Sequence, residues 1–446
     1  MTRIRHVVRL GPSPSEIRDV GPDDDVSFVP MEAIADGVGG LDPSGVKPLG
    51  QLKAGSYNYF ADGDILLAKV TPCFENGKKA IAADLINGVG FATSEVHVLR
   101  PDTRKVDRRF LLYVLGTEDF RYRGVVSMTG AGGLKRISEA AILDHRIVVE
   151  NIDDQRAIAA FLDTETARID ALLDRKERFS NLIVAREEAS FLDAVRGADI
   201  RGPRFASGVR WIGDLPEGWL APKFTHVARQ ETGHTPSRKE LSYWVPEDCV
   251  IPWVSLADVW QLRSGDSVFI EDTSEKISEI GMANSAARLL PANTVILSRT
   301  ASVGFAGILE KPMATTQDFA AWICGSTIRP KYLYYVLRAM KPEFRRLMIG
   351  STHQTIYMPD IRAFRTPLPP LTEQDRIVSS LDGVIGAYRK VKSQTAKTMS
   401  RLREFRSAVI TAAVNGQIDP EAWRRRGDTD RRLDRIEADM AVEAAE

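Results

Sequence analysis

The sequence predicts an α+β protein that is built twice: two mixed α/β domains separated by two long antiparallel coiled-coil helices, arranged as an internal pseudo-two-fold repeat. Three pairs of segments recur in the same order in the two halves: HVVR and HVAR, VSFVPMEAI and IPWVSLADV, DILLAKVTP and TVILSRTAS. Identical residues recur at an offset of 219 positions between the segments 155–197 and 374–416, among them Gln155, Ile158, Leu162, Asp163, Val195 and Gly197 of the first segment. A constant offset over such a length indicates a duplicated unit without internal gaps.

The composition limits the class of protein. A chain of 446 residues is long enough for two to four domains. Its 60 basic and 60 acidic residues balance, which gives no support for nonspecific polyanion binding, although a basic cleft can coexist with acidic surfaces. The three cysteines have no CxxC or metal-ligand spacing, which favours a reducing, cytoplasmic compartment. No apolar run approaches 18 residues and the N-terminus has no signal-peptide core, so we expect no membrane association.

Residues 1–151 predict the first mixed domain. The short apolar runs DILLAK, which ends at Lys69, and RIVVE, which begins at Arg146, are typical of buried strands. Aromatic and aliphatic residues at helical spacing follow Arg108. Residues 198–370 predict a linker and a second domain of the same kind, in which Trp244, Trp253, Trp260 and Trp322 are expected in the core.

Residues 152–197 and 371–416 predict the two long helices. Apolar residues step alternately by four and three, as in a coiled-coil seam, with Thr372 as the expected N-cap of the second helix and a glycine at the end of each. The first helix carries 7 basic and 10 acidic residues and the second 8 and 4, which favours their pairing with each other. The expected pairing residues are Ile158, Leu162, Ile169, Leu172, Phe179, Ile377, Leu381, Val384, Tyr388, Leu402 and Phe405. Residues 417–446 are charged and predict a frayed or weakly helical tail.

Several strings resemble the specificity (S) subunit of Type I restriction-modification enzymes. WIGDLPEGW from Trp211 and GHTPSRKELSYW from Gly233 resemble the start of a target recognition domain in that family. PLPPLTEQDRIVSSLD from Pro367 and SAVITAAVNGQID from Ser407 resemble the two ends of its second helical region. The first half has no counterpart of WIGDLPEGW and no double proline before its helix, so its recognition domain is either trimmed or completed by the C-terminal tail.

The resemblance implies a non-catalytic DNA-recognition subunit. Each target recognition domain would read one half of a bipartite, asymmetric site in double-stranded DNA. The paired helices would fix the gap between the halves and dock two modification subunits, on which S-adenosylmethionine is expected for adenine methylation. Restriction subunits, which carry the motor and the nuclease, are possible further partners. This chain itself is expected to bind no cofactor and no metal.

The motifs that the sequence lacks agree with a subunit that is not an enzyme. No NPP[YF] or DPPY string is present to hold a flipped base, and no P-loop, GxSxG or HExxH motif occurs. Two other hypotheses remain open. One is a coiled-coil scaffold with two protein-binding heads, and the other is a fused nuclease or methyltransferase.

Three kinds of polar loop in each half have side chains that can reach bases or phosphates. The first kind follows the strand with a basic end, the second is a late glycine-rich or polar loop, and the third lies between strands. A segment with serine and two basic residues adds phosphate contacts in the second half. The predicted DNA-binding residues are Lys69, Thr71, Thr93, Glu95, Gly132, Lys135, Arg136, Ser237, Arg238, Lys239, Arg299, Thr300, Ser302, Gln317, Ser351, Thr352, His353 and Gln354.

Overall fold

A computed structural model describes residues 1–37, 40–53, 56–130, 133–148, 151–263, 265, 267–348 and 354–445 of the chain. The chain divides into two compact units. The first comprises Met1–Glu177 and Gln394–Glu446, and the second comprises Arg178–Ser393. Each of the two long helices therefore contributes residues to both units.

The first unit opens with short strands and helices and continues into the first long helix. Its strands are β1 (Thr2–Arg3), β2 (Val8–Leu10), β3 (Asp25–Val29), β4 (Asp36–Gly37), β5 (Val46–Pro48), β6 (Asn58–Ala61), β7 (Ile65–Ala68), β8 (Lys79–Ile81), β9 (Val89–Ala92), β10 (Val96–Pro101) and β11 (Arg146–Ile147). Its helices are α1 (Leu49–Lys53), α2 (Arg108–Val114), α3 (Glu118–Val126), α4 (Glu139–Leu143) and the start of α5 (Ile152–Val195).

The second unit holds the next set of strands and the start of the second long helix. Its strands are β12 (Arg204–Ala206), β13 (Asp214–Pro216), β14 (Ala228–Thr232), β15 (Cys249–Val254), β16 (Phe269–Ile270), β17 (Glu275–Ser278), β18 (Val295–Ser298), β19 (Ala306–Leu309), β20 (Ala314–Thr315) and β21 (Phe319–Cys324). Its helices are α6 (Phe224–Val227), α7 (Trp260–Arg263), α8 (Glu279–Ala283), α9 (Pro330–Ala339), α10 (Lys341–Leu347), α11 (Met358–Arg362) and the start of α12 (Leu371–Val414). The tail forms α13 (Pro420–Arg426) and α14 (Asp428–Ala445).

The main sheets of the two units have the same topology. The strand order is β2-β10-β7-β8-β4 in the first unit and β14-β21-β18-β19-β16 in the second. In each sheet the last pair of strands is parallel and the other pairs are antiparallel. The central strands β7 and β18 are buried at every position, which explains why both read as uninterrupted apolar runs in the sequence.

The second sheets also correspond. The order is β5-β3-β9-β6 in the first unit and β17-β15-β20 in the second. The β3–β9 and β15–β20 pairs are parallel, and the β3–β5 and β15–β17 pairs are antiparallel. The prediction of two mixed α/β domains as an internal repeat is confirmed, because strand order and strand direction are reproduced from one unit to the other.

The long helices α5 and α12 are each 44 residues, which corresponds to a length of about 66 Å at 1.5 Å per residue. Gly197 and Gly416 follow them with φ of 61° and 72°, the left-handed conformation that favours glycine after a helix. The expected N-cap at Thr372 is wrong. Helix α12 begins at Leu371, because the amides of Glu373 and Gln374 already donate to the Pro370 carbonyl at 3.0 Å.

Within the first unit, the start of α5 packs on the end of α12 in one apolar core. The predicted pairing residue Leu172 is half-buried here, and the buried ones are Ile158, Leu162, Ile169, Leu402 and Phe405. The guanidinium of Arg406 in α12 binds the Asp170 carboxylate of α5 at 2.7 and 3.1 Å.

Within the second unit, the end of α5 and the start of α12 run antiparallel. Along α5, Glu187 binds Lys392 and Ser190 contacts Tyr388 at 3.3 Å. Just past the end of α5, Asp199 binds Arg376 at 2.8 Å, so the residue numbers on α12 fall as those on the α5 side rise. Of the predicted pairing residues here, Ile377 and Leu381 are buried, and Val384 and Tyr388 are half-buried.

The prediction that Phe179 helps to pair the two long helices is wrong, because this residue is 47% exposed. A seam that repeats every seven residues drifts around a straight helix by about 20° per heptad, and three heptads separate Ile158 from Phe179. In this part of α5 the buried positions are Ile183 and Glu187 instead.

The tail, predicted to be frayed or weakly helical, forms helices α13 and α14. It packs within the first unit through Trp423 against Phe161, with ring centroids 6.2 Å apart, and through Ile436, which is 3% exposed. The prediction that Trp260 lies in the core is wrong, because it is 66% exposed while its neighbours Val259 and Leu262 are buried. Trp253 and Trp322 are in the core as predicted, and Trp244 is half-buried.

Among the residues that the structure describes, no helix is both long enough and apolar enough to cross a membrane.

Candidate nucleic-acid interface

Three polar loops of the first unit meet where strand β7 ends. Lys69, the residue after β7, donates its amide to the Glu95 carbonyl at 2.8 Å and accepts from the Ile137 amide at 3.0 Å. The Thr71 amide donates to the Lys135 carbonyl at 3.0 Å. Glu95 lies immediately before β10, the neighbour of β7 in the sheet. The three loops that the sequence singled out are therefore held together by backbone hydrogen bonds.

We call Lys69, Thr71, Glu95, Lys135 and Arg136 the first polar cluster. Its centre is a two-point ion pair: Arg136 Nε and Nη2 donate to the two carboxylate oxygens of Glu95 at 3.1 and 2.7 Å. The hydrogen bond from Arg136 lowers the pKa of the Glu95 carboxyl, and the positive charge of Lys69 lowers it further. Glu95 is consequently an ionised hydrogen-bond acceptor at neutral pH.

The remaining members of the first polar cluster differ in what their side chains can still do. The Thr71 hydroxyl donates to the Gly133 carbonyl at 2.8 Å and accepts from the Lys135 amide at 3.0 Å, so it holds the loop together. Lys135 is exposed and Lys69 is half-buried. The Lys135 side chain is therefore accessible to a ligand, whereas the Thr71 hydroxyl stabilises the loop conformation.

The second unit repeats this backbone framework at the end of β18. Arg299 donates its amide to the Asp318 carbonyl at 2.8 Å and accepts from the Ile356 amide at 2.9 Å, and the Ala301 amide donates to the Gln354 carbonyl at 3.0 Å. Each bond has its equivalent in the first unit. Lys69 therefore corresponds to Arg299.

Strand register identifies which residue of the second unit corresponds to Glu95. Val96 pairs with Ala68 in the first unit, and Phe319 pairs with Ser298 in the second. The structural counterpart of Glu95 is therefore Asp318, one residue beyond Gln317. The counterpart of Arg136 is Thr355, because each precedes the isoleucine that bonds the basic residue.

We call Arg299, Thr300, Gln317, Asp318 and Gln354 the second polar cluster. The Asp318 carboxylate accepts from the hydroxyl of Thr300 and from that of Thr316 at 3.1 Å. Arg299 Nε donates to the Gln317 carbonyl at 2.9 Å. Hydroxyl groups thus take the place that a guanidinium occupies in the first unit, on an unchanged backbone.

The serine and basic segment of the second half lies beside this cluster. The Thr235 hydroxyl donates to Gln317 Oε1 at 2.8 Å. Arg238 binds Glu275 at 2.5 Å and lies over the Trp244 ring at 3.9 Å, so its guanidinium is held in place by a carboxylate and an aromatic face. Ser237 and Lys239 are exposed on either side of it.

The other predicted DNA-binding residues have less defined positions. Thr93 is half-buried, and its hydroxyl has no partner among the described residues. The Ser302 carbonyl accepts from the Ser298 hydroxyl beneath the loop. Four predicted residues, Gly132, Ser351, Thr352 and His353, lie outside the described residues. The roles of all these residues in binding DNA stay predictions.

Sequence reasoning assigned no role to a glutamine that fastens each domain to its long helix. In the first unit, Gln155 Oε1 accepts from the Asp107 amide at 2.9 Å and its Nε2 donates to the Lys105 carbonyl at 3.3 Å. In the second unit, Gln374 bonds the Arg329 amide at 2.8 Å and the Thr327 carbonyl at 2.9 Å in the same way. Both glutamines were among the identical residues at the fixed offset, which is the signal that could have revealed them.

An aspartate eight residues, or about two turns, further along each helix completes this attachment. Asp163 accepts from Arg109 at 2.6 Å and from the Tyr113 hydroxyl at 2.8 Å. Asp382 accepts from Lys331 at 2.7 Å and from the Tyr335 hydroxyl. Burial raises the pKa of both tyrosines, which keeps the hydroxyls protonated as donors. The same anchor therefore orients both domains on their helical segments.

The first unit has an additional charged network beneath its main sheet. Lys79 is 5% exposed and binds Asp36, whose carboxylate also lies 3.7 Å from Arg406. Burial lowers the pKa of the Lys79 ammonium, and the charge of Asp36 opposes this shift. The network Lys79–Asp36–Arg406–Asp170 ties the mixed α/β domain to both helices of this unit.

Comparisons with known proteins agree with this architecture. The family described as "Type I restriction modification DNA specificity domain" matches residues 216–397. The specificity subunit of the Type I restriction enzyme EcoEI from Escherichia coli is 36% identical over 155 residues, which are 33% of this chain and 26% of that protein. The MjaIX specificity subunit from Methanocaldococcus jannaschii is 27% identical over 172 residues, which are 38% of each chain. The matched segments thus span less than half of these relatives.

A solved structure extends the likeness of fold to nearly the whole chain. It is described as the structural basis of complex assembly and conformational transition of the type I R-M system. It aligns with a TM-score of 0.65, covers 94% of this chain and 97% of its own, and is 19% identical. At that identity the match supports the shared fold alone.

Proposed function

We propose that this chain, whose residues 216–397 match the Type I restriction modification DNA specificity domain, is the DNA sequence-recognition subunit of a Type I restriction-modification complex and performs no catalysis of its own. Each mixed α/β domain reads one half of a bipartite, asymmetric site in double-stranded DNA. The single observation that carries this proposal is the pair of polar clusters, in which one backbone framework presents different side chains.

The polar clusters suit sequence reading for a physical reason. Specific recognition needs side chains at base edges that are held at fixed positions, and separate contacts that bind the phosphates. The backbone bonds around Lys69 and Arg299 fix the loops in the same way in each unit. Because the framework is the same while Arg136 and Glu95 are replaced by Thr355 and Asp318, the two domains are suited to unlike half-sites.

The paired helices set the distance between the half-sites. A helix of about 66 Å covers between one and two turns of duplex, taking a turn as about 34–36 Å. The ion pairs Asp170–Arg406 and Glu187–Lys392, together with the buried residues beside them, keep each helical segment in one register. On this proposal the outer faces of these helices dock two modification subunits, which bind S-adenosylmethionine and methylate adenine, and restriction subunits can join that complex.

The test is selection of bound duplexes from a random library by the full chain, with and without modification subunits. We expect the assembled complex to recover two short motifs separated by a constant gap. Failure of the assembled complex to enrich any split motif would contradict the proposal.

Charge reversal in the polar clusters distinguishes the proposed DNA-recognition function from the alternative hypothesis of a scaffold with two protein-binding heads. Lys69→Glu and Arg299→Glu each place a carboxylate in a polar cluster, so we expect each to abolish specific DNA binding. Arg104→Glu is the matched control, because Arg104 lies past the far end of β10, and a six-residue strand separates it from Glu95 by about 20 Å. Equal DNA binding by all three variants and the unaltered chain would favour the scaffold.

A further inference from the structure

We propose that the Arg136–Glu95 pair is the base-reading element of the first unit, in which Arg136 selects a guanine and Glu95 selects a cytosine in one half-site. This inference rests on the proposed DNA-recognition function and deepens it. It also assigns the pair a role separate from that of the neighbouring lysines, which contact phosphates.

The geometry leaves part of each group of the pair free to bind DNA. Arg136 uses Nε and one hydrogen of Nη2 for Glu95, so both hydrogens of Nη1 and the other hydrogen of Nη2 remain. Each Glu95 oxygen has a further lone pair. The side chains are 43% and 32% exposed, so the unused donors and acceptors can reach a ligand.

These free atoms match one base pair chemically. In the major groove, guanine offers two acceptors, O6 and N7, to which the Nη1–Nη2 edge of an arginine can donate. Cytosine offers the N4 amino group, which a carboxylate can accept. Adenine opposite Arg136 would bring a donor towards a donor, and thymine opposite Glu95 would bring an acceptor towards an acceptor. The pair therefore favours guanine and cytosine and disfavours the alternatives.

The pair is held ready before DNA binds. Backbone bonds join the loop of Glu95 to Lys69 and the loop of Arg136 to Thr129, whose amide and carbonyl both bond Arg136 at 3.1 and 2.8 Å. Because the two charges of the pair cancel, it contributes little net attraction for phosphates. Lys69 and Lys135 supply that attraction instead. Within the first polar cluster, the lysines therefore contribute affinity for DNA and the Arg136–Glu95 pair contributes sequence preference.

The second unit cannot read its half-site in this way. The position of Arg136 is taken by Thr355, and the carboxylate of Asp318 is engaged by the hydroxyls of Thr300 and Thr316. Among the residues that the structure describes, no guanidinium pairs with Asp318, and Arg299, the counterpart of Lys69, donates its Nε to the Gln317 carbonyl. We therefore expect the bases read by the Arg136–Glu95 pair to lie in one half-site, and the other half-site to be read by a different set of side chains.

The experiment is selection from a random duplex library by the full chain assembled with its modification subunits, using the unaltered chain and four variants. Glu95→Gln keeps the shape but replaces a carboxylate with an amide, which pairs with adenine. It should change the preference from cytosine to adenine at one position of one half-site. Arg136→Lys keeps the charge but loses the two-point contact, so it should reduce discrimination at one guanine by about 5- to 150-fold.

Asp102→Asn is the matched control, because Asp102 pairs with Arg104 at 3.1 Å past the other end of β10, and it should leave every position unchanged. Lys135→Ala should lower affinity equally for all sequences and reduce the slope of log affinity against log salt by about 1. Thermal unfolding of each variant establishes that it is folded before selection.

The outcomes separate this inference from the function on which it rests. If the unaltered chain yields no split motif, the proposed function fails. If it yields one and folded Glu95→Gln and Arg136→Lys variants keep the same bases, the base-reading role of the pair is overturned. Weaker binding with an unchanged motif overturns it as well, because that result indicates a purely structural pair.

Discussion

Replacing Gln374 with alanine tests how the recognition domain is attached to the long helix. The Gln374 side chain is fully buried and makes three hydrogen bonds: it accepts from the Arg329 amide at 2.8 Å and donates to the carbonyls of Thr327 and Pro369 at 2.9 Å each. A buried hydrogen bond contributes about 1 kcal/mol net, so Gln374→Ala should lower the free energy of unfolding of the second unit by about 3 kcal/mol.

The same reasoning applies to Gln155 in the first unit. Gln155 makes at least two such bonds with the segment before α2, at 2.9 and 3.3 Å. Gln155→Ala should therefore cost at least about 2 kcal/mol. For units of this size, each kcal/mol lowers the melting temperature by about 2–4 °C, so the expected shifts are about 6–12 °C for Gln374→Ala and at least about 4–8 °C for Gln155→Ala.

The assay is scanning calorimetry of the full chain, which follows the unfolding of both units. Gln417→Ala is the control, because the Gln417 side chain is exposed and surface substitutions usually change stability by less than about 0.5 kcal/mol. Shifts for Gln155→Ala and Gln374→Ala no larger than that of the control would refute the idea that this repeated glutamine fastens domain to helix.

Three further predictions concern other contacts. Asp170→Asn should lower the free energy of unfolding by about 1 kcal/mol, and a double-mutant cycle with Arg406→Met should show a coupling energy of that size. A coupling near zero would mean that the ion pair contributes nothing. Burial lowers the pKa of His97, so the unfolded chain binds its proton first and stability falls as pH drops below about 6.5. His97→Gln should flatten this decline in acid denaturation curves, and an unchanged slope would exclude His97 as its source. Trp423→Ala removes the ring that packs on Phe161 and should abolish hydrogen-exchange protection in α14, whereas protection that persists would show that the tail is held by other contacts.

The repeat and the two long helices could be predicted from the sequence because their signals are local or periodic. A buried glutamine, an aspartate and a helix-ending glycine recur at one offset, as Gln155, Asp163 and Gly197 show. The uninterrupted apolar run of β7 likewise identified a strand that is buried on both faces.

The remaining features depend on pairing between distant segments, which no local pattern encodes. Glu95 corresponds to Asp318 and not to Gln317, because strand register and not sequence spacing aligns the loops. Phe179 is exposed because a heptad pattern drifts around a straight helix. The charged tail is helical because Trp423 finds an apolar surface on α5, a partner that its own composition did not predict.

The two polar clusters show the same contrast between features that are local in the sequence and features that depend on distant segments. The sequence identified basic residues at the ends of β7 and β18, since each ends an apolar run. It could not identify the Arg136–Glu95 pair, whose members are 41 residues apart and meet only because two loops bond the same lysine.

The measurement that tests the central claim most directly is a map of methylated adenines across the genome of a host that carries this chain with its modification subunits. The account predicts methylation within one bipartite motif that has two unlike halves and a fixed gap, and its loss when Lys69 or Arg299 is replaced by glutamate. Methylation at a continuous motif, at two identical halves, or at sites that do not depend on these residues would contradict it.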